Sequence, residues 1–363
     1  MAGSALQNRS GVRAGLARRW GLLAVVLLLI AACAPATAAP DRAGRSGENP
    51  PAALDAGKSP ELPPADARPA PLRGGSTGAA EALAAAPPAA QQVVTPTPRP
   101  RPTTTPTPPP PVQVRDLPPP NITARMAVVV DEASGEVLYG LNEHQEVPPA
   151  SLTKIVTAMV ALEVGNLAAR VTSDVDSRTM WEDSVMGLQP GEELSLEDLL
   201  YGLMLPSGND AALAIARYIA HGSESTFVEL MNAKVRQLGL RHTHFMNPHG
   251  RDVEDHYSSP YDMAMLARAA MRNPVFQRLA SAKEWDASGF LRDYHLVNLN
   301  RLLWQYAGAD GVKIGYETRS GQTMVVSATR NGHRIYASFM RSTNMRADGA
   351  ALLDWAFNSY AWQ

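Results

Sequence analysis

Ser151-Leu152-Thr153-Lys154, Ser207-Gly208-Asn209 and Lys313-Ile314-Gly315 are the three stretches on which the reading of this 363-residue chain turns. The first sets a hydroxyl nucleophile one helical turn before a lysine. Residues three apart share a helix face, so the amine can reach the Ser151 oxygen. A serine hydroxyl is a weak nucleophile until a neighbouring base takes its proton. The second stretch adds another hydroxyl and an amide on a tight turn, and the third a second cation beside a glycine on what reads as a strand. Together they compose an acyl-transfer site of serine and lysine that needs no histidine triad. Each is common by itself: the first also reads as a helix start with a solvated lysine, and the second as an ordinary turn.

The surroundings add weight. Pro148-Pro149-Ala150 runs into Ser151 as a helix boundary, and Ile155, Val156, Met159, Val160 and Leu162 mark a buried helix that Gly165 suits as an end. An apolar segment over 199–205 is broken by Pro206, and another resumes at Ala211, which leaves Ser207 on a polar turn between two buried helices. Segments 324–328 and 334–339 read as two strands hinged on Asn331-Gly332. Residues 126–131 and 136–141 read as a hairpin around Ala133-Ser134-Gly135. Helices dominate 151–281 and strands return after Gly311. Residues 123–363 are one domain's worth of chain, long enough for a large core.

From Met126 to Trp355 the sequence resembles the D-alanyl-D-alanine carboxypeptidases, the low-molecular-mass penicillin-binding proteins, which share a fold with serine β-lactamases. The resemblance covers about two-thirds of the chain and goes beyond the three motifs. It includes Leu205-Pro206-Ser207-Gly208-Asn209-Asp210-Ala211-Ala212, Pro248-His249-Gly250, Tyr257-Ser258-Ser259, Asp262-Met263-Ala264, Asn298-Leu299-Asn300-Arg301-Leu302-Leu303, Asp310-Gly311-Val312-Lys313 and Leu352-Leu353-Asp354-Trp355. It implies an α/β (α+β) fold of the DD-peptidase/β-lactamase kind, with an antiparallel sheet built from both chain ends and an inserted helical subdomain. It also implies peptidoglycan stem peptides as substrate, β-lactams as covalent inhibitors, and no cofactor. In that frame Ser151 would form the acyl-enzyme, Lys154 would be the general base, and Ser207 would relay a proton to the leaving nitrogen. Asn209 would orient Lys154 and the peptide, Lys313 would supply positive potential, and the N–H groups of Ser151 and Tyr316, beside Gly315, would hold the oxyanion. Many family members continue into a C-terminal β domain, and none is expected here after Trp355.

The family pattern at the third motif is Lys-Thr-Gly or Lys-Ser-Gly, and Ile314 departs from it. The missing hydroxyl helps hold the substrate carboxylate in the family, and a hydrogen bond to a charged group is worth about 1.5–3 kcal/mol. The expectation is a working nucleophile with impaired or altered carboxypeptidase activity, unless Thr318, Thr323 or an arginine compensates. Arg346 and Arg341 are the candidate carboxylate anchors. The alternatives are a peptidoglycan DD-endopeptidase or a catalytically impaired wall-binding protein. A β-lactamase fits less well, because Gly208 stands where class A enzymes carry aspartate and no Glu-x-x-Leu-Asn segment follows.

His242, His244, His249 and His256 cluster in sequence, but no acidic or cysteine partner falls at a ligand spacing, so no metal is expected. A formal charge of −2 and the lack of a phosphate loop give no hint of nucleic-acid binding. The N-terminal third is a different kind of chain. Arg9, Arg13, Arg18 and Arg19 precede an apolar run over 20–32, which reads as an export signal. Cys33, the one cysteine of the chain, ends that run in a lipobox-like Leu29-Ile30-Ala31-Ala32-Cys33. It is expected to carry a lipid anchor, against simple cleavage after Ala36-Thr37-Ala38 or an uncut anchor. Residues 34–122, rich in Pro, Ala and Thr, read as a disordered tether between a 1–33 signal and the domain. The protein is thus expected outside the cytoplasm, tethered to the bacterial membrane, or secreted if an ordinary signal peptidase cuts it.

Overall fold

The computed structural model describes residues 108–363. The export signal, Cys33 and most of the Pro-rich segment lie outside the described residues. The elements run β1 (Val112–Gln113), β2 (Met126–Asp131), β3 (Val137–Leu141), a 3-10 turn (Ala150–Thr153), α1 (Lys154–Val164), β4 (Arg170–Thr172), β5 (Glu193–Ser195), α2 (Leu196–Met204), α3 (Asn209–Ile219) and α4 (Glu224–Gln237). Then follow α5 (Pro260–Ala270), α6 (Pro274–Ser281), β6 (Glu284–Ser288), β7 (Asp293–Val297), α7 (Leu302–Gln305), β8 (Ala309–Glu317), β9 (Gly321–Arg330), β10 (His333–Ser342), α8 (Met345–Ser359) and β11 (Tyr360–Ala361).

The main sheet is antiparallel in the order β3-β2-β10-β9-β8, so both ends of the domain meet at its centre and β8 is an edge. Period-two alternation sorts its side chains. Met324, Val326, Ala328, Ile335, Ala337 and Phe339 pack with Leu352, Leu353 and Ala356 of α8 on one face. Val325, Tyr336 and Met340 join the larger core of α1–α6 on the other. Because β2 is covered on both faces, all six of its residues are buried and its sequence is nearly all apolar. The β9–β10 turn is the two-residue Asn331-Gly332 hairpin, with φ of 51° and 81°.

Gly165 ends α1 as expected, and one other local reading needs correction. Gly165 follows α1 with φ −89°, outside the left-handed region. Glycine is required there by proximity, since a Cβ would lie 2.4 Å from Leu196 Cδ2 and 2.6 Å from the Ala161 carbonyl. Residues 112–115, read as tether up to 122, pair with the C-terminal strand: Val112 faces Ala361 and Gln113 faces Tyr360. The N–H groups of Val114 and Arg115 also donate to the Ser359 carbonyl at 2.8 and 3.1 Å. This Val-Gln-Val-Arg run is the first after the prolines whose backbone keeps consecutive N–H donors, which is what a strand needs. Ordered contacts then continue through Thr123, whose N–H donates to Asp348 Oδ1 and whose hydroxyl donates to Asp348 Oδ2, both at 2.8 Å.

Candidate active site

Ser151 sits in the 3-10 turn immediately before α1, and Lys154 is the first residue of that helix. In a 3-10 turn residues three apart eclipse one another, which brings Lys154 Nζ to 2.9 Å from Ser151 Oγ. The turn is clamped from behind. Ala150 has φ 53°, a left-handed conformation that costs an alanine about 1–2 kcal/mol. Neighbours on both sides hold it there: Thr323 Oγ1 on β9 donates to the Pro149 carbonyl at 3.1 Å, and Thr153 Oγ1 donates to that of Ala150 at 2.9 Å. Gly250, with φ 98°, packs so closely that a Cβ would lie 2.0 Å from the Ala150 oxygen.

Lys154 is fully buried. Its amine also lies 2.6 Å from Asn209 Oδ1 and 2.7 Å from the His249 carbonyl. Burial first, and then the charge of Lys313, drive its pKa well below the usual lysine range, while Asp183, Glu317 and Asp210 oppose the shift. A neutral amine has two N–H donors and one lone pair. The two carbonyl oxygens take the donors, which leaves the lone pair facing the Ser151 hydroxyl. That is the geometry of a general base.

Lys313, on β8, is 2% exposed, and its Nζ donates to the Ile314 carbonyl at 3.0 Å. Burial lowers its pKa to about 7. Ser207 lies between α2 and α3 with φ 65°, and its Oγ is buried without a hydrogen-bond partner among the described residues. A buried hydroxyl left unsatisfied is costly, and this one faces the cleft in which substrate chemistry would occur. Asp210 fixes the opposite wall by accepting the N–H groups of Met186, Gly187 and Leu188 at 2.7–2.9 Å. That wall explains Gly208. A Cβ there would lie 2.9 Å from the Gly202 carbonyl and 3.0 Å from the Met186 nitrogen, so the larger side chain of a Ser-Asp-Asn motif does not fit.

A cleft of about 560 Å³ opens over these groups, lined by Ser151, Ser207, Asn209, Gly315 and Tyr316 among others. At Gly315 a Cβ would lie 2.9 Å from the Ser151 nitrogen, so the β8 backbone runs directly against the Ser151 amide. The sequence-derived set is therefore brought together here, with two exceptions. Cys33 lies outside the described residues, and Arg346 does not line this cleft. Arg346 lines a neighbouring depression with Arg301, and Ile314 stands as the ridge between the two. Met345, the first residue of α8, lines both depressions, and Arg346, turned about 100° further round the helix, lines only the second. Thr323 is committed to Pro149, but Thr318 and Arg251 do line the cleft. Sequence reasoning missed Arg251, which follows the Pro248-His249-Gly250 loop and had only that proximity to betray it.

The histidines serve the scaffold. His256 accepts the Met246 N–H at its Nδ1 and lies 2.9 Å from Thr153 Oγ1 through Nε2; burial lowers its pKa to about 4. Burial likewise lowers His249 to about 3. Among the described residues no three His, Cys, Asp or Glu side chains converge as a metal site would require. No described helix is long and apolar enough to cross a membrane.

A serine and a buried lysine on one helix start, a hydroxyl–amide turn, and a lysine–glycine sheet edge define a serine DD-peptidase architecture. The D-alanyl-D-alanine carboxypeptidase family model (peptidase S11) matches residues 113–344, and the chain belongs to that family. D-alanyl-D-alanine carboxypeptidase DacF of Bacillus subtilis is 36% identical over 250 residues, covering 65% of this chain and 63% of the relative. DacB2 of Mycobacterium tuberculosis is 34% identical over 249 residues, covering 66% of this chain and 84% of the relative. The first three relatives are matched over 63–65% of their own length. The crystal structure of the Streptomyces K15 DD-transpeptidase superposes with a TM-score of 0.64 at 31% identity, covering 67% of this chain and 100% of that one. The fold is thus the mixed α/β architecture expected.

Proposed function

We propose that the protein is a serine-type D-Ala-D-Ala carboxypeptidase acting on peptidoglycan stem peptides and acylated by penicillins. The observation that carries this reading is the Lys154 amine, its proton affinity lowered by burial and held 2.9 Å from Ser151 Oγ. Neutral Lys154 takes the Ser151 proton as Oγ bonds to the carbonyl carbon of the penultimate D-alanine. The carbonyl electrons move onto oxygen, which the backbone N–H groups of Ser151 and Tyr316 stabilise. Collapse of that intermediate breaks the C–N bond, Ser207 relays the proton from Lys154 to the leaving nitrogen, and D-alanine departs. Water then adds to the ester carbonyl and gives a proton to Lys154, the C–Oγ bond breaks to release the shortened peptide, and that proton returns to Ser151. The expected test result is a one-to-one penicillin adduct by intact mass, lost in Ser151→Ala. No adduct at high penicillin would overturn the reading.

One observation favours a narrower version. Ile314 puts an apolar side chain on the cleft wall where the family pattern has a hydroxyl, which supports a weakened grip on a free carboxylate and thus an altered peptide choice. Hydrolysis of a cross-linked dimer in preference to a free pentapeptide would identify an endopeptidase. We further read the N-terminal sequence as an export signal with lipid attachment at Cys33, which holds the enzyme at the outer face of the membrane. Release of the Cys33→Ala protein into the soluble fraction is the result that this location requires.

A further inference from the structure

Leu299 and Met345 line both the cleft and the depression beside it, as Ile314 does, so the ridge between the two is three apolar side chains long. Their places are fixed by backbone bonds. The Leu299 N–H donates to the Leu205 carbonyl at 3.1 Å, Ile314 pairs with Met324 of β9, and the Met345 N–H donates to Gln322 Oε1 at 2.9 Å. On the cleft side, Arg251 is the cation among the lining residues, and Asp183, next to Glu182, already holds its Nε at 3.2 Å. The Lys313 amine lies beneath the surface, turned to the Ile314 carbonyl. A carboxylate pressed against this ridge would therefore lose water to hydrocarbon without a facing counter-charge.

Across the ridge the chemistry reverses. The depression holds about 420 Å³ and is lined by Arg301 and Arg346, with no acidic side chain around it. Neither guanidinium forms an ion pair among the described residues, and that of Arg301 is steadied over the Trp304 ring at 5.4 Å. Arg346 stands in the first turn of α8, where a cation is unfavourable unless an anion joins it. Asp348, the acid of that turn, is committed to Thr123 and Ser342. In the acyl-enzyme reading given above, on which this step rests, the leaving nitrogen lies on the Ile314 side of Ser151. We propose that ridge and depression together form a subsite for the leaving half of the substrate: an amine on an unbranched aliphatic chain, with no carboxylate beside the nitrogen and an anionic group at the chain's far end. The methylenes cross Leu299, Ile314 and Met345, and the anion pairs with Arg301 and Arg346. The ω-amine of a lysine-type side chain on a second, cross-linked stem peptide has that form, and a terminal D-alanine does not.

The test gives the full-length protein three amides that share the acyl part Nα,Nε-diacetyl-L-Lys-D-Ala and differ in the amine: D-alanine, pentylamine or 6-aminohexanoate. The expected kcat/KM favours pentylamine over D-alanine by roughly tenfold, and 6-aminohexanoate over pentylamine by roughly tenfold again. Arg301→Gln combined with Arg346→Gln brings the 6-aminohexanoate advantage to unity. Ile314→Thr instead narrows the gap between pentylamine and D-alanine. Each variant is checked for an unchanged melting temperature. Release of D-alanine as fast as pentylamine overturns the subsite. So does a 6-aminohexanoate advantage within about twofold of unity in the parent protein, or one that survives the double substitution. If no amide is cleaved while benzylpenicillin still acylates Ser151, the same order is read from aminolysis of an N-acetyl-D-alanyl thioester by the three amines at equal free-base concentration, since an attacking amine enters where a leaving one departs. Loss of all acylation overturns the parent reading and the subsite with it.

Discussion

Replacing Lys313 by methionine should make the protein more stable and less active, and the size of the gain follows from its burial. The amine is lowered from 10.5 to about 7 by burial alone. Each tenfold fall in proton affinity corresponds to about 1.4 kcal/mol, so at pH 7 the buried lysine costs the folded state about 4 kcal/mol relative to an exposed one. Methionine fills nearly the same volume but leaves the Ile314 carbonyl without the 3.0 Å bond it now receives, a loss of about 1 kcal/mol. A net gain of about 3 kcal/mol at pH 7 is therefore expected from urea unfolding. The sign is fixed by linkage. The unfolded lysine binds its proton up to about 10.5 and the folded one only up to about 7, so the parent protein gains stability as pH rises between those values. The gap to Lys313→Met should close over the same window. Penicillin acylation should fall by two orders of magnitude or so, because the positive potential at the cleft floor is gone. A variant no more stable than the parent at pH 7, or a gap that stays constant to pH 10, would refute the account of this residue.

Three further substitutions probe the cleft. Ser207→Ala should slow acylation by about 10²-fold or more with no loss of melting temperature, since the Oγ has no partner to lose; a marked destabilisation would assign the hydroxyl to the scaffold instead. Ile314→Thr restores the family hydroxyl and should raise kcat/KM on a D-Ala-D-Ala peptide by about 10- to 150-fold while changing the acylation rate of a carboxylate-free ester little; equal gains on both would place the effect elsewhere. Gly208→Ala forces a Cβ to within 2.7–3.0 Å of Asp210 Oδ1, the Gly202 carbonyl and the Met186 nitrogen, so a loss of about 1–3 kcal/mol in chemical unfolding is expected, and a neutral result would show that the wall yields.

The cluster around Ser151 was legible in sequence because its motifs are short and each is local. Ser151 and Lys154 share one turn, Ser207 and Asn209 another, and Lys313 and Gly315 one strand. The sheet was legible for a related reason: residues 126–131, 324–328 and 334–339 are strongly apolar runs set off by turn residues. What stayed hidden depends on contacts between distant segments. Arg251 reaches the cleft through a loop whose course no periodicity encodes. Glu182 and Asp183 look like ordinary surface acids until the 181–184 segment folds over β8. Arg346 lies on a neighbouring depression that shares Ile314 and Met345 with the cleft, a placement that no sequence pattern encodes. The small hairpins β4–β5 and β6–β7 are three- and five-residue strands of mixed polarity, with too little alternation to announce themselves.

The sheet order carries a consequence for biosynthesis. β2 is flanked by β3 and by β10, which leaves the ribosome about 200 residues later, and β8, which closes the cleft over Ser151, is made late as well. A nascent chain therefore carries Ser151 and Lys154 long before it owns the strand edge that Gly315 lays against them. Such a chain, whether still being made or cut short by proteolysis, holds Ser151 in an unassembled site. Covalent labelling by a fluorescent penicillin would then count only molecules whose two sequence-distant halves have paired, making the label a folding sensor as much as an activity probe.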